Sequence, residues 1–303
     1  MTGLDEAVAP PARIARGLST ANAYFELTKP KIMMFLLLTG YCAMVVAARG
    51  LPEVGVTLSA LFGLGLSTGG AAAFNMWYDR DIDAIMNRTV GRPIPAGRIQ
   101  PARALIFSFV LFVLSAFWLG FMVNWLSALL SVAGFIYYTL IYTVFLKRRT
   151  PQNIVIGGGA GAFPPLIGWA AVTNHMGWPA VLMFLIIFLW TPPHFWALAL
   201  FRHDDYKRAN IPMMPVVRGE SSTKRQMAVY TFLLSIVSLL LYWTGAVGLV
   251  YVWIAGILGV AFMVHAMFVL EEKLPNAKWA RKTFFFSLLY LGVLFLGMVT
   301  NVT

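Results

Sequence analysis

Residues 227–270 read MAVYTFLLSIVSLLLYWTGAVGLVYVWIAGILGVAFMVHAMFVL, 44 residues without one Asp, Glu, Lys or Arg. A helix crosses the hydrocarbon core of a bilayer with about 20 apolar residues. Twice that length is two crossings, and Gly245-Ala246-Val247-Gly248 at the midpoint supplies the turn between them. Seven further apolar blocks are each long enough for one crossing: 32–48, 54–74, 104–121, 124–146, 154–173, 178–201 and 283–300. The expected fold is therefore an all-α, polytopic membrane protein with nine transmembrane helices.

Composition agrees. Of 303 residues, 59% are hydrophobic and 12% charged, with a mean hydropathy of +0.75. A soluble domain carries about twice that charged fraction. The single cysteine, Cys42, excludes an intrachain disulfide framework and a cysteine metal site, and reads as a buried small apolar residue. The net charge of +11 is informative through its placement. Nine spans put the N-terminal segment and segments 75–103, 147–153, 202–226 and 271–282 on one side. These hold 22 of the 23 Lys and Arg residues, and only Arg49 lies opposite. A wrong span count would scramble that partition. The positive-inside rule then sets the N-terminus in the cytoplasm and the C-terminus outside. Eleven of the 12 acids share the basic side, Glu53 being the exception, so the chemistry is expected there.

The first 30 residues contain Asp5, Glu6, Arg13, Arg16 and Lys29 and no short apolar run before a cleavage site. No signal peptide is expected. The expected location is a bacterial inner membrane, with a cytoplasmic segment 1–28 and a single transmembrane domain 29–303.

Polar residues concentrate at a few places. Asn75, Asp79 and Asp83 recur every four residues at the end of the second span and share one helical face. Two carboxylates so spaced repel unless a cation lies between them. Their oxygens suit Mg²⁺, which binds a few carboxylates together with substrate phosphate oxygens. A solvated helix end with scattered acids is the competing explanation. The following loop, 87–98, is rich in proline and carries Arg88 and Arg92, suited to gripping phosphate. Topology alone requires some arginines there, but neither the prolines nor the acids.

A second acidic segment, Arg202-His203-Asp204-Asp205-Tyr206-Lys207-Arg208, follows the sixth span on the same side. Adjacent aspartates cannot share a helix face, so one of them faces the site. Asp205 and Arg208 have i,i+3 spacing and could simply bridge. Within the sixth span, Pro192-Pro193-His194 places an ionisable residue beside a helix break, a candidate site by default against the alternative of a packed kink. His265 reads as structural and His175 as an outer-loop residue. The glycines of 157–161 read as close helix packing.

Together these segments resemble the UbiA superfamily of intramembrane prenyltransferases, and within it the heme O synthase family. The resemblance rests on Asn75/Asp79/Asp83, the Arg88–Pro93 loop, Lys147-Arg148-Arg149-Thr150-Pro151-Gln152-Asn153, Thr191-Pro192-Pro193-His194-Phe195-Trp196, and Asp205-Tyr206 followed by Ile211–Pro215. It covers the chain from about Tyr24 onward. It implies nine helices around a central cavity. It also implies farnesyl transfer from farnesyl diphosphate to the vinyl group of heme B, with addition of water, giving heme O. Carried over by residue, Asn75, Asp79 and Asp83 hold Mg²⁺ and, with Asp205, form the catalytic set. Arg88, Arg92, Lys147, Arg148 and Arg208 bind diphosphate, and His194 is the heme-binding candidate. Partners implied are the lipid bilayer and a heme A synthase or terminal oxidase receiving the product; nucleic acid is not expected. One departure stands out. Many superfamily members carry a second aspartate four residues after the first in the later motif, and here that position is Ala209. The competing readings are a related enzyme prenylating an aromatic acid or quinone precursor, and a secondary transporter. Transporters keep their polar residues near the bilayer midplane, whereas these acids lie at one face.

Overall fold

The structure, a computed structural model, describes residues 20–273 and 277–303. The segment expected to be cytoplasmic therefore lies outside the described residues from 1 to 19. A short helix α1 (Thr20–Leu27) precedes the bundle. The crossing helices are α2 (Pro30–Ala48), α3 (Val54–Tyr78), α5 (Pro101–Met122), α6 (Trp125–Ile136) continued by a π-helical turn pair at Tyr137–Leu146, α8 (Gly159–Thr173) and α9 (Trp178–Phe201). They continue with α12 (Glu220–Leu240), α13 (Leu249–Glu271) and α14 (Lys278–Val299). Between them lie the short helices α4 (Arg80–Ile85), α7 (Asn153–Gly157), α10 (His203–Arg208) and α11 (Met214–Val217). Among the described residues, nine helical stretches are long and apolar enough to cross a membrane. The 44-residue block divides at a 3₁₀ turn, Leu241–Thr244, followed by Gly245 at φ 69°.

α8 and α9 are the most enclosed crossings, with α2, α3, α6, α12 and α14 packed around them. The outermost helices instead present large apolar side chains such as Phe117, Trp253 and Ile257 outward. Bilayer lipid is the solvent such a surface requires. The main core joins α2, α8, α9, α12, α13 and α14 through buried Trp190, Tyr251, Phe262 and Phe295. Where α2 crosses α8, backbones touch: a Cβ on Gly168 would stand 2.2 Å from Gly40 O. The glycines of 157–159 instead admit side chains, those of Tyr142, Thr191 and Tyr137, close against the helix backbone. Cys42 is buried, as its sequence setting implies.

Because the crossings alternate in direction, segments 79–100, 147–152 and 202–219, with residues 272, 273 and 277, gather at one end of the bundle. The chain terminus lies at the other, where Asn301 O accepts from Gly248 N at 2.8 Å. Every candidate charged residue therefore sits on one face, called the charged face below.

Candidate active site

The centre of the charged face is a chain of charge-assisted bonds drawn from α2, α3, α4 and the π-helical segment. Asp79 ends α3 and is fully buried. Asp79 N bonds Asn75 O at 2.9 Å and Asp83 N bonds Asp79 O at 2.8 Å, so helical register carries through the kink into α4. That register puts Asn75 Nδ2 2.8 Å from Asp79 Oδ2, as the spacing of four predicts. Asp83 is buried and accepts from Arg92 at 2.6 Å.

The π-helical segment brings the opposing charge. Its wider turns bond i to i−5, as in Lys147 N to Tyr142 O at 2.9 Å, and the Thr143 hydroxyl donates to Tyr138 O at 2.9 Å. Thr143 Oγ1 thereby accepts from Asn75 Nδ2 at 3.1 Å, and Lys147 ion-pairs directly with Asp79. Arg148 forks onto both oxygens of Asp81 at 2.7 Å, stands 3.5 Å from Asp79 and covers the Tyr78 ring. That fork holds the Asp81 carboxyl below its usual range, with burial opposing. Asn153 donates to Lys147 O at 3.2 Å and fixes the end of the segment.

Lys29 completes the cluster, a residue sequence reasoning passed over. Held at φ 52° just before α2, it directs Nζ to Asn75 Oδ1 at 2.7 Å and to Tyr138 Oη at 3.4 Å. Burial, then the charges of Arg92 and Lys147, push its ammonium well below the usual lysine range; Asp79 and Asp83 oppose. The signal available in the sequence was a lysine directly before Pro30 at the start of an apolar span.

The second acidic segment resolves its own ambiguity. Asp205 is buried and ion-pairs with Arg208, with Arg202 at 3.8 Å, whereas Asp204 points to solvent beside His203. Tyr206 and Ala209 are buried in one apolar cluster with Ile82 of α4 and Met86 just beyond it, and this cluster joins the two acidic segments. Burial there pushes the Tyr206 phenol up, with Arg88 opposing. Ala209 is thus a packing residue, which accounts for the departure from the two-aspartate pattern.

Arg88 does not join the Asp79 network. It lines a separate cavity with Arg202 and the start of α14. His194 is buried in α9, stacked between Trp190 (ring centroids 4.2 Å) and Phe284 (4.6 Å). Its Nδ1 lies 2.7 Å from Ser287 Oγ, which also lies 2.7 Å from Phe284 O. With the serine proton on Phe284 O, Nδ1 is the donor and Nε2 carries the lone pair. His265 stacks on Phe286, and His175 is exposed in the opposite-face loop.

The donor set suits a hard divalent cation. Asp79 and Asp83 offer carboxylate oxygens on one face, and Asn75 a carbonyl oxygen in competition with Lys29. Among the described residues no three His, Cys, Asp or Glu side chains are grouped to hold an ion by themselves. Such an ion would take its remaining ligands from water and substrate, the arrangement Mg²⁺ prefers. Lys29, Arg92, Lys147 and Arg148 surround the same point, so the site can neutralise a polyanionic leaving group.

The UbiA prenyltransferase family model matches residues 36–289. A protoheme IX farnesyltransferase of Symbiobacterium thermophilum is 55% identical over 280 residues, spanning 92% of this chain and 94% of that protein. Proteins of the same name from Brucella anthropi and Novosphingobium aromaticivorans are each 49% identical, over 93% and 92% of this chain and 91% and 92% of theirs. Among solved structures, a digeranylgeranylglyceryl phosphate synthase superposes with a TM-score of 0.78 at 20% identity, covering 94% of this chain and 99% of that one. A UbiA homologue from Archaeoglobus fulgidus, bound to DMAPP and Mg²⁺, superposes with a TM-score of 0.65 at 16% identity over 91% of this chain and 98% of that one.

Proposed function

The chain belongs to the UbiA prenyltransferase family, and we propose that it farnesylates protoheme, drawing the prenyl group from farnesyl diphosphate. It transfers the farnesyl group to a vinyl group of heme B to give heme O. The observation that carries the reading is the buried Asp79–Lys147 pair within a ring of bases, on a chain half identical to protoheme IX farnesyltransferases.

Lys147, Arg92 and Arg148 exchange their carboxylate partners, and Lys29 its Asn75 amide oxygen, for diphosphate oxygens, while Asp79 and Asp83, with Asn75, would hold Mg²⁺. That ion supplies charge neutralisation on the leaving group. Asp205 keeps Arg208 directed to the same rim. The C1–O bond of the donor breaks and its electron pair leaves on the diphosphate, which the four bases stabilise. The vinyl π-electrons form the new C–C bond to C1. The cation left beside the porphyrin ring takes the oxygen of a water, and a proton returns to solvent. Tyr138 and Tyr142, stacked with centroids 5.6 Å apart, shield the allylic cation with their faces until attack. His194 offers Nε2 to the heme iron and so orients the acceptor.

The positive-inside rule supports a cytoplasmic charged face in a bacterial inner membrane, with the N-terminus cytoplasmic and the C-terminus outside. Residues 29–303 then form one transmembrane domain behind a cytoplasmic segment 1–28. Heme O carries a farnesyl tail that holds it in the membrane, which favours direct handover to a heme A synthase or a terminal oxidase.

The test is conversion of heme B by membranes containing this chain, with farnesyl diphosphate, with and without Mg²⁺, read by mass spectrometry. A Mg²⁺-dependent product gaining one farnesyl group and one water is expected. Prenylation of an aromatic acid in place of heme would retain the diphosphate site and overturn the acceptor.

A further inference from the structure

Between the end of α9 and the start of α14 the charged face opens a cavity of about 970 Å³. Five cations line it: Arg88, Arg202, Lys278, Arg281 and Lys282. Among the described residues, no carboxylate does. Among the described residues, Arg88, Lys278, Arg281 and Lys282 form no ion pair, and Arg202 reaches Asp205 only at 3.8 Å. The bases of the Asp79 network differ: Lys147, Arg92 and Arg148 each already hold an acid. The two sets of cations therefore serve different anions. One set is balanced by the protein, and the other awaits charge from a ligand.

The remainder of the lining is apolar and largely aromatic: Leu198, Phe201, Ala277, Phe284 and Phe285. His194, Leu198 and Phe201 stand at i, i+4 and i+7 of α9, one face of the helix. Phe284 touches both ends of that row, at 4.6 Å from His194 and 5.7 Å from Phe201 between centroids. The wall of the cavity thus leads directly to the imidazole whose Nε2 is available. Cations at the mouth and rings along the wall fit a flat apolar molecule with anionic groups on one edge. Guanidinium forks match carboxylates in particular. A second prenyl diphosphate fits poorly, since no acid in the lining could share a metal with it.

We propose that this cavity is the subsite for the carboxylate edge of the porphyrin acceptor, in which Arg202, Lys278, Arg281 and Lys282 grip the two propionates and Phe284 guides the ring toward His194. The inference rests on the protoheme reading. Held by that edge, the ring turns its vinyl-bearing side away from water, where the cation must be protected. Arg88 closes the cavity on the side of the loop whose Arg92 binds Asp83.

The experiment uses the full chain in phosphatidylcholine nanodiscs. Soret titrations compare protoheme IX with its dimethyl ester, in wild type and in a combined Lys278→Gln, Arg281→Gln, Lys282→Gln variant. Wild type is expected to bind the free acid about tenfold more tightly than the ester, and the variant to lose that preference while its ester affinity stays unchanged. An unaltered KM for farnesyl diphosphate shows that the variant is folded. A variant that keeps the preference, or a wild type without one, overturns the subsite but not the reaction. Phosphatidylglycerol displacing acid and ester alike assigns the cations to lipid headgroups and also overturns it. Failure of both porphyrins to shift the Soret band in wild type removes the protoheme reading itself.

Discussion

His194 Nδ1 and Ser287 Oγ are 2.7 Å apart, and Ser287 Oγ also lies 2.7 Å from Phe284 O. The serine thus holds a buried imidazole from α14, 93 residues away in sequence, and with its proton on Phe284 O it selects the Nδ1–H tautomer. Trp190 Nε1 donates to the backbone carbonyl of the same serine at 2.7 Å, so both partners are held in place.

Removing that hydroxyl releases the tautomer. Ser287→Ala forfeits a buried hydrogen bond of about 1–1.5 kcal/mol, which corresponds to roughly tenfold in rate. The expected result is a tenfold lower kcat/KM for protoheme with the KM for farnesyl diphosphate unchanged. His194→Gln abolishes the Soret shift on titration. Steady-state kinetics and heme titration check both.

Charge compensation inside the Asp79 network separates catalysis from stability. Lys147 and Arg92 already neutralise Asp79 and Asp83. A chelator should therefore abolish turnover without lowering the thermal midpoint of the purified protein. Asp79→Asn removes the charge and strands Lys147. Activity is expected to fall by roughly 10²–10³ or more, and stability by about 3 kcal/mol. A variant retaining full turnover would remove Asp79 from the chemistry.

What the sequence revealed and concealed follows from the range of each interaction. Span count and face depend on composition and charge along the chain, so the division of 227–270 and the clustering of 79, 147 and 205 were legible. The i,i+4 geometry of Asn75 and Asp79 was legible for the same reason. Lys29 meets Asn75 across 46 residues, and the π-turns that aim Thr143 and Lys147 leave no periodic signature in YYTLIYTVFL. The direction of Arg88 depends on the fold of a proline-rich loop. Its spacing resembles that of Arg92, yet only Arg92 turns to the acids.

Ala209 tests whether the later motif has lost a ligand or gained a contact. It is buried in one apolar cluster with Ile82, Met86 and Ile211. Ala209→Asp would restore the pattern common in the superfamily while burying a carboxylate in an apolar contact. The expected outcome is a destabilisation of roughly 2–4 kcal/mol with lower activity. Higher activity or tighter Mg²⁺ dependence at unchanged stability would show that the position accepts a ligand after all. Thermal denaturation and Mg²⁺ titration of turnover read the two outcomes.

The α2–α8 crossing gives a purely steric prediction with its control on the same helix. A Cβ on Gly168 would stand 2.2 Å from Gly40 O, a backbone atom that cannot rotate away, whereas one on Gly161 meets nothing within 4 Å. Gly168→Ala must push the helices apart. Overpacking of this kind costs about 1–3 kcal/mol, and the shift disturbs the inner wall of the bundle. Gly161→Ala replaces a poor helix former by the best one and should be neutral or stabilising by up to about 1 kcal/mol. Both are helical glycines in one run of sequence, so propensity alone predicts the same sign for both. Opposite signs in thermal denaturation would establish that contact between backbones, rather than flexibility, is what requires Gly168.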